Sequence, residues 1–207
     1  SMRFVIGSHL DEEFGLKRRA VDREHRQRSR RVRLFCALHP DRMSAGELLE
    51  ALGAAEDLPP HRLMPEHQIH MTMVFIGDVD LADVAEIKES VERAAAAVEP
   101  ICWSPDRIGT LPDRGQVRTV AVKGPTSNAL EELHRRLTQR LVRHQKSRPF
   151  LPHMTLARLT PPCDIGGWDR PLEVPQFTFD TVQLVQSRLL PTGADHKQLM
   201  TASLRSR

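Results

Sequence analysis

Two short stretches place side chains capable of chemistry inside apolar runs. Residues 151–159 read LPHMTLARL, and residues 69–75 read IHMTMVF. Each sets a histidine two residues before a threonine: His70 before Thr72, and His153 before Thr155. In a strand, residues i and i+2 share a face. The two polar pairs therefore each occupy one face, while Ile69, Met71 and Met73, and Met154 and Leu156, point the other way. Histidine accepts and donates protons near neutral pH, so two imidazoles converging on one cleft can act as base and acid across a reacting centre. Two hydroxyls beside them can donate to non-bridging oxygens, a set suited to in-line phosphoryl chemistry without a metal. In the plainer reading, each histidine bonds a neighbour and fills a sheet face. Even that needs a partner, because an unpaired buried polar group costs free energy.

Something must position these strands. Residues 32–38, VRLFCAL, read as an opening strand, and 41–56 as a helix with Leu48, Leu49, Leu52 and Ala55 on one side. A strand over 68–77 carries the first pair. An Ala-rich helix over 81–97 and a short strand over 99–105 follow. After the turn-rich segment 109–115 come a strand over 117–122 and a helix over 127–145 striped by Leu130, Leu133, Leu137 and Leu141. The strand at 153–159 carries the second pair. Beyond it lie a polar loop at 161–175, an alternating strand over 176–187 and a last strand near 197–203. The order suggests a duplicated α+β unit, one His-x-Thr strand in each half of the chain. Helices would cover one face of each sheet and the other faces would form a cleft.

Composition narrows the setting. The chain has 207 residues, which suits one domain or one domain of two lobes. Apolar residues make up 40% and no run nears the roughly 20 that span a bilayer, so no membrane partner is expected. The three cysteines match no zinc or redox spacing, and Cys36 within RLFCAL reads as a small core hydrophobe. With no apolar leader, a reduced cytoplasmic setting is expected. Residues 1–33 hold ten Lys/Arg against five Asp/Glu, leaving 20 basic and 22 acidic residues in 34–207. The basic character thus belongs to an extension over 1–31, read as a flexible arm, and 32–207 forms the body. A slightly acidic body argues against a protein built only to bind nucleic acid.

The chain resembles the two-histidine phosphoesterase superfamily, in particular the bacterial and archaeal RNA 2′,3′-cyclic phosphodiesterases also called 2′-5′ RNA ligases. The resemblance rests on His70-Met71-Thr72, on Pro152-His153-Met154-Thr155-Leu156-Ala157-Arg158, on the opening Arg33–Leu38 and on Gln186–Gly193. It implies a bilobal α+β fold of two pseudo-symmetric antiparallel-sheet lobes, with outer helices and a central cleft. It also implies hydrolysis of RNA 2′,3′-cyclic phosphate ends to 2′-phosphates, with reversible 2′-5′ ligation, and no metal, ATP or other cofactor. The partner is then RNA with a 2′,3′-cyclic phosphate or 2′-phosphate end, acted on by a monomer. His70 would protonate the leaving oxygen, His153 would activate water, and Thr72 and Thr155 would hold phosphate oxygens. Competing readings are a phosphodiesterase for small cyclic nucleotides or ADP-ribose cyclic phosphate, and a non-catalytic nucleotide-binding module.

Four further residues are candidates. Arg158 belongs to the second motif and would steady the phosphate, yet its spacing of five from His153 points it to the opposite face unless a bulge intervenes. Phe75 holds the same offset from His70 and could stack on a base or pack in the core. His196 stands where the family often has an aromatic residue, a base contact or a packing residue. Arg33 opens the first strand and could reach the cleft rim. His39, His61, His134 and His144 read as surface or loop residues.

Overall fold

The computed structural model describes residues 31–113, 115–142, 149–165, 167–191 and 193–205. The basic extension and His144 lie outside these residues, except that Arg31 opens the first strand. That strand, β1 (Arg31–Leu38), is followed by α1 (Arg42–Gly53), β2 (His61–Leu63), β3 (Met71–Asp80), α2 (Val84–Ala95), β4 (Ile101–Trp103), β5 (Arg107–Leu111) and β6 (Val117–Lys123). Then come α3 (Asn128–Leu141), β7 (His153–Cys163), β8 (Asp169–Pro171), β9 (Phe177–Phe179), β10 (Thr181–Leu190) and β11 (Gly193–Ser203).

The fold is α+β, and every strand pairing is antiparallel. The main sheet runs β11-β10-β1-β3-β7-β6-β5-β8, with β2 on the free edge of β7, while β4 and β9 form a separate pair. Two four-stranded groups meet where β3 touches β7 through the pair Met71↔Met154. The two lobes are thus joined edge to edge, and the join lies inside the two His-x-Thr motifs.

The lobes are not consecutive halves of the chain, which corrects the simple duplication read from element order. The C-terminal strands β10 and β11 return to the first lobe, where β10 pairs with β1. Helix α1 packs against β7, α2 against β10 and β11, and α3 against β3. An apolar stripe specifies that a helix must be covered, not by which sheet. Other expectations also shift. The turn-rich segment holds the end of β5, the polar loop holds the end of β7 and all of β8, and the strand over 176–187 is split into β9 and β10 at Asp180.

Local signals set the helix starts. Asp41 accepts from the Ser44 N–H at 2.9 Å, and Ser127 accepts from the Leu130 N–H at 3.3 Å, each satisfying an otherwise orphaned donor. Leu130, Leu133 and Leu137 on α3 are fully buried, each contributing roughly 1.5–3 kcal/mol. Alternation divides β1. Leu34, Cys36 and Leu38 join the main core under the helices, whereas Phe35 and Ala37 pack with Val185 in a small cluster on the opposite face. Burial pushes the Cys36 thiol up to about 12, so it behaves as a core hydrophobe.

Candidate active site

The Met71↔Met154 pair gives the site its symmetry. Carrying that antiparallel register one residue to either side sets His70 opposite Thr155, and Thr72 opposite His153. Opposed residues have Cβ atoms about 4.5–5.5 Å apart and share a face. Both methionines are fully buried, pointing into the core, so the four polar side chains must project from the other side. A cavity of about 1350 Å³ opens there, lined by His70, Thr72, His153 and Thr155 together with Arg33, Phe75, Arg158 and His196. All eight candidates from the sequence therefore border one space.

Both imidazoles are held alike. His70 Nδ1–H donates to the Gln68 carbonyl at 2.7 Å, and His153 Nδ1–H donates to the Leu151 carbonyl at 2.7 Å. A carbonyl only accepts, so the bond places the proton of the neutral ring on Nδ1 and leaves Nε2 with its lone pair. Each ring is thereby oriented from the residue two positions before it.

Each motif is followed by a bulge. In β3 the pairing passes from Thr72↔Ala37 to Val74↔Cys36, so Met73 is the extra residue. In β7 it passes from Thr155↔Ala121 to Ala157↔Val120, so Leu156 is the extra residue. An inserted residue reverses the phase of alternation. Arg158, which strict alternation sends away from His153, is thus exposed on the cavity side. Phe75 is returned to the His70 face in the same way and is 71% exposed, which removes the core-packing reading. The bulge carbonyls are satisfied from outside the regular pairing: His134 Nδ1–H donates to Met73 O at 2.7 Å, and the Met64 N–H donates to Leu156 O at 2.8 Å.

The surroundings of the two histidines differ. His70 sits among rings, with centroids 5.1 Å from Phe35, 5.6 Å from His39 and 5.3 Å from His196. Burial pushes the His70 imidazolium down to about 4, against the pull of its Gln68 bond and helped by the nearby charges of His39, His196 and His153. Burial likewise lowers His39, whose Nδ1–H donates to Gln183 Oε1 at 3.0 Å, and His196, whose Nδ1 is buried with no protein partner. His39 is therefore no surface residue, because it packs on the site. His134 is not one either, since it pins a bulge. Neither role shows in the sequence, where each is a lone histidine. Arg62 on β2 also lines the cavity, opposite Arg158, without any motif to signal it. No group of three or more His, Cys, Asp or Glu among the described residues converges on a possible metal position.

Two His-x-Thr strands meeting about a local twofold, each oriented and bulged alike, define a two-histidine phosphoesterase fold. Residues 40–188 match the family model of the 2'-5' RNA ligase superfamily, and the chain belongs to that superfamily. It is 26% identical over 174 residues to the RNA 2',3'-cyclic phosphodiesterase of Methanothermobacter thermautotrophicus, covering 79% of this chain and 94% of the relative. It is also 26% identical over 189 residues to the protein of that name from Thermus thermophilus, covering 84% and 91%. Two other relatives of that name, from Methanocaldococcus jannaschii and Bacillus subtilis, match only in part, over 55% and 50% of their own length. The crystal structure of TT0787 of Thermus thermophilus superposes with a TM-score of 0.71 at 24% identity, over 84% of this chain and 98% of that one. E. coli LigT complexed with 3'-AMP gives 0.72 at 19% identity, over 85% and 99%. No helix among the described residues is long and apolar enough to cross a membrane.

Proposed function

We propose that the chain is a phosphodiesterase that opens 2′,3′-cyclic phosphate ends of RNA to 2′-phosphomonoesters, without metal or ATP. The observation that carries this reading is the pair of imidazoles anchored through Nδ1 on two strands that meet at Met71↔Met154. Two Nε2 atoms then face one space from opposite sides of a local twofold. In-line displacement at phosphorus needs a base and an acid so placed.

In the proposed reaction His153 Nε2 takes a proton from water as its oxygen attacks phosphorus. The bond from phosphorus to the 3′ oxygen breaks, and His70 Nε2–H supplies that oxygen with its proton. Thr72, Thr155 and Arg158 hold the non-bridging oxygens, whose charge grows in the transition state. His70 is neutral in the free protein because it is buried. It takes up its proton together with the substrate, since a phosphate anion beside an imidazole favours the charged ring. With a 5′-hydroxyl in place of water as the nucleophile, the same groups acting in the same direction join two ends through a 2′-5′ bond, and the reverse of that step re-forms the cyclic phosphate. One chain supplies every group named, so a monomer suffices.

The test is incubation with EDTA and an oligoribonucleotide ending in 2′,3′-cyclic phosphate, followed by identification of the product. A 2′-phosphate end is expected. Absence of turnover, or formation of a 3′-phosphate alone, overturns the reading.

A further inference from the structure

We propose that His134, on α3 and outside both motifs, is a positioning residue for both halves of the site. Its ring N–H sets the bulge that presents Phe75, and its ring face sets the segment that orients His153. The inference rests on the function proposed above and deepens it.

Each motif needs two supports: a fixed carbonyl two residues before its histidine, and a donor for the carbonyl of its bulge. In each motif the main chain supplies one of them. The Gln68 carbonyl, which orients His70, belongs to the turn Glu66–Gln68. That turn is closed by Gln68 N–H to Pro65 O at 2.9 Å and by Ile69 N–H to Glu66 O at 3.1 Å. The carbonyl of the Leu156 bulge accepts from the Met64 N–H. Main-chain donors of this kind do not depend on which side chain is present.

The other two supports come from side chains, and His134 takes part in both. In the first motif the bulge carbonyl of Met73 accepts from His134 Nδ1–H at 2.7 Å. In the second motif the Leu151 carbonyl, which orients His153, lies in the segment 149–152, outside any helix, strand or turn. The Leu151 side chain is exposed, so its own packing does not fix it. Pro152 restricts the backbone shape of Leu151 but not where the segment lies. The neighbouring Phe150 does that. Its ring is stacked on His134, with centroids 4.7 Å apart and planes 19° from parallel. His134 is itself held firmly, because α3 packs on β3 and buries Leu130, Leu133 and Leu137. One imidazole thus serves the first motif with its Nδ1 edge and the second with its face.

The two contacts use different parts of the ring, so substitution can remove them one at a time. Asparagine carries an N–H as many bonds from Cβ as Nδ1 and has no ring, whereas phenylalanine keeps the ring and has no donor. His134→Asn should lower kcat about tenfold or more, toward the roughly 10² that a misplaced reacting group costs, and leave the dependence of KM on the terminal base intact. The loss should persist on a substrate whose departing 3′ oxygen is replaced by sulfur, because the misplaced group is the base. His134→Phe should lower kcat less than His134→Asn does, and instead erase the roughly fivefold effect on KM that a stacking contact of Phe75 provides. Phe150→Leu removes the stack from its other side and should reproduce the kcat loss, whether or not His134→Asn folds. Equal patterns in His134→Asn and His134→Phe, or a change in thermal stability alone, overturn the inference. Proton NMR of the free protein reads the second contact without substrate. The His153 Nδ1–H should exchange with solvent about tenfold faster in His134→Asn and Phe150→Leu, the weight of one hydrogen bond, while the His70 Nδ1–H is unchanged. If wild type does not turn over a cyclic phosphate, the proposed function fails and these exchange rates decide the inference. A His153 rate equal to that of wild type in both variants overturns it.

Discussion

The two His-x-Thr strands are built to one plan and furnished differently. Each orients its histidine through a carbonyl two residues back, and each is bulged at the residue after its threonine. The position five beyond the histidine is thereby delivered to the cavity in both. At that position β3 carries Phe75 and β7 carries Arg158. Behind them the contrast continues: Phe75 lies 6.0 Å from Phe35, while Arg158 is paired with Arg62. One strand therefore brings rings and the other brings charge. The shared backbone makes the arrangement of imidazole and hydroxyl symmetric, while the furnishing gives one side of the cavity rings and the other side guanidiniums.

The sharpest way to break this comparison is to remove the shared groups. His70→Ala and His153→Ala should each lower kcat by at least about 10²-fold. They should differ on a substrate whose departing 3′ oxygen is replaced by sulfur, a leaving group with a thiol-like pKa of about 8.5 that needs no acid. Activity on that substrate returns in the His70 variant and stays low in the His153 variant. The opposite pattern would exchange the two roles.

The contrasting groups come next. Arg158→Ala should lower kcat/KM by about 10²-fold on every cyclic phosphate, as expected for lost charge-assisted bonds to phosphate. Phe75→Ala should raise KM about fivefold, depend on which base is terminal and leave kcat nearly alone, as for one rim-exposed stacking contact. Equal effects of the two substitutions on kcat would dissolve the distinction between the strands. Between these lie the hydroxyls. Thr72→Val and Thr155→Val should each cost about tenfold in kcat/KM, and by similar factors if the local twofold extends to the phosphate oxygens.

The smallest effect concerns pH. The folded His70 imidazole binds its proton only near pH 4, against about 6.5 for an ordinary histidine. Between those values the unfolded chain holds more protons, so stability is present above about 6.5 and falls as pH drops toward about 4. His39 and His196 are lowered in the same direction and add to the slope. Denaturant titrations should therefore show a shallower acid slope in His70→Gln than in wild type. An identical slope would show that burial of this ring in the first lobe has no energetic weight.

Much of this was legible in residue order. Alternation placed His70 with Thr72 and His153 with Thr155, since the period of a strand is a property of the backbone. The stripes of α1 and α3 and the caps at Asp41 and Ser127 are equally local. Arg158 marks where that logic stops. Counting by twos sends it away, and only a partner strand that presents one residue against two can turn it back. Phe75 shows the same limit, because its exposure follows from the extra Met73.

The sequence by itself determined which side chains share a strand face, which helices form and which chemistry the paired motifs can perform. All of these depend on covalent spacing and backbone geometry within a few residues. Tertiary structure alone decided that Met71 meets Met154, that β10 and β11 return to the first lobe, that His39 and His134 belong to the site, and that Arg62 stands beside Arg158. Those facts are set by register and packing between segments tens of residues apart, where many pairings would satisfy the same local pattern and burial of the whole core selects one.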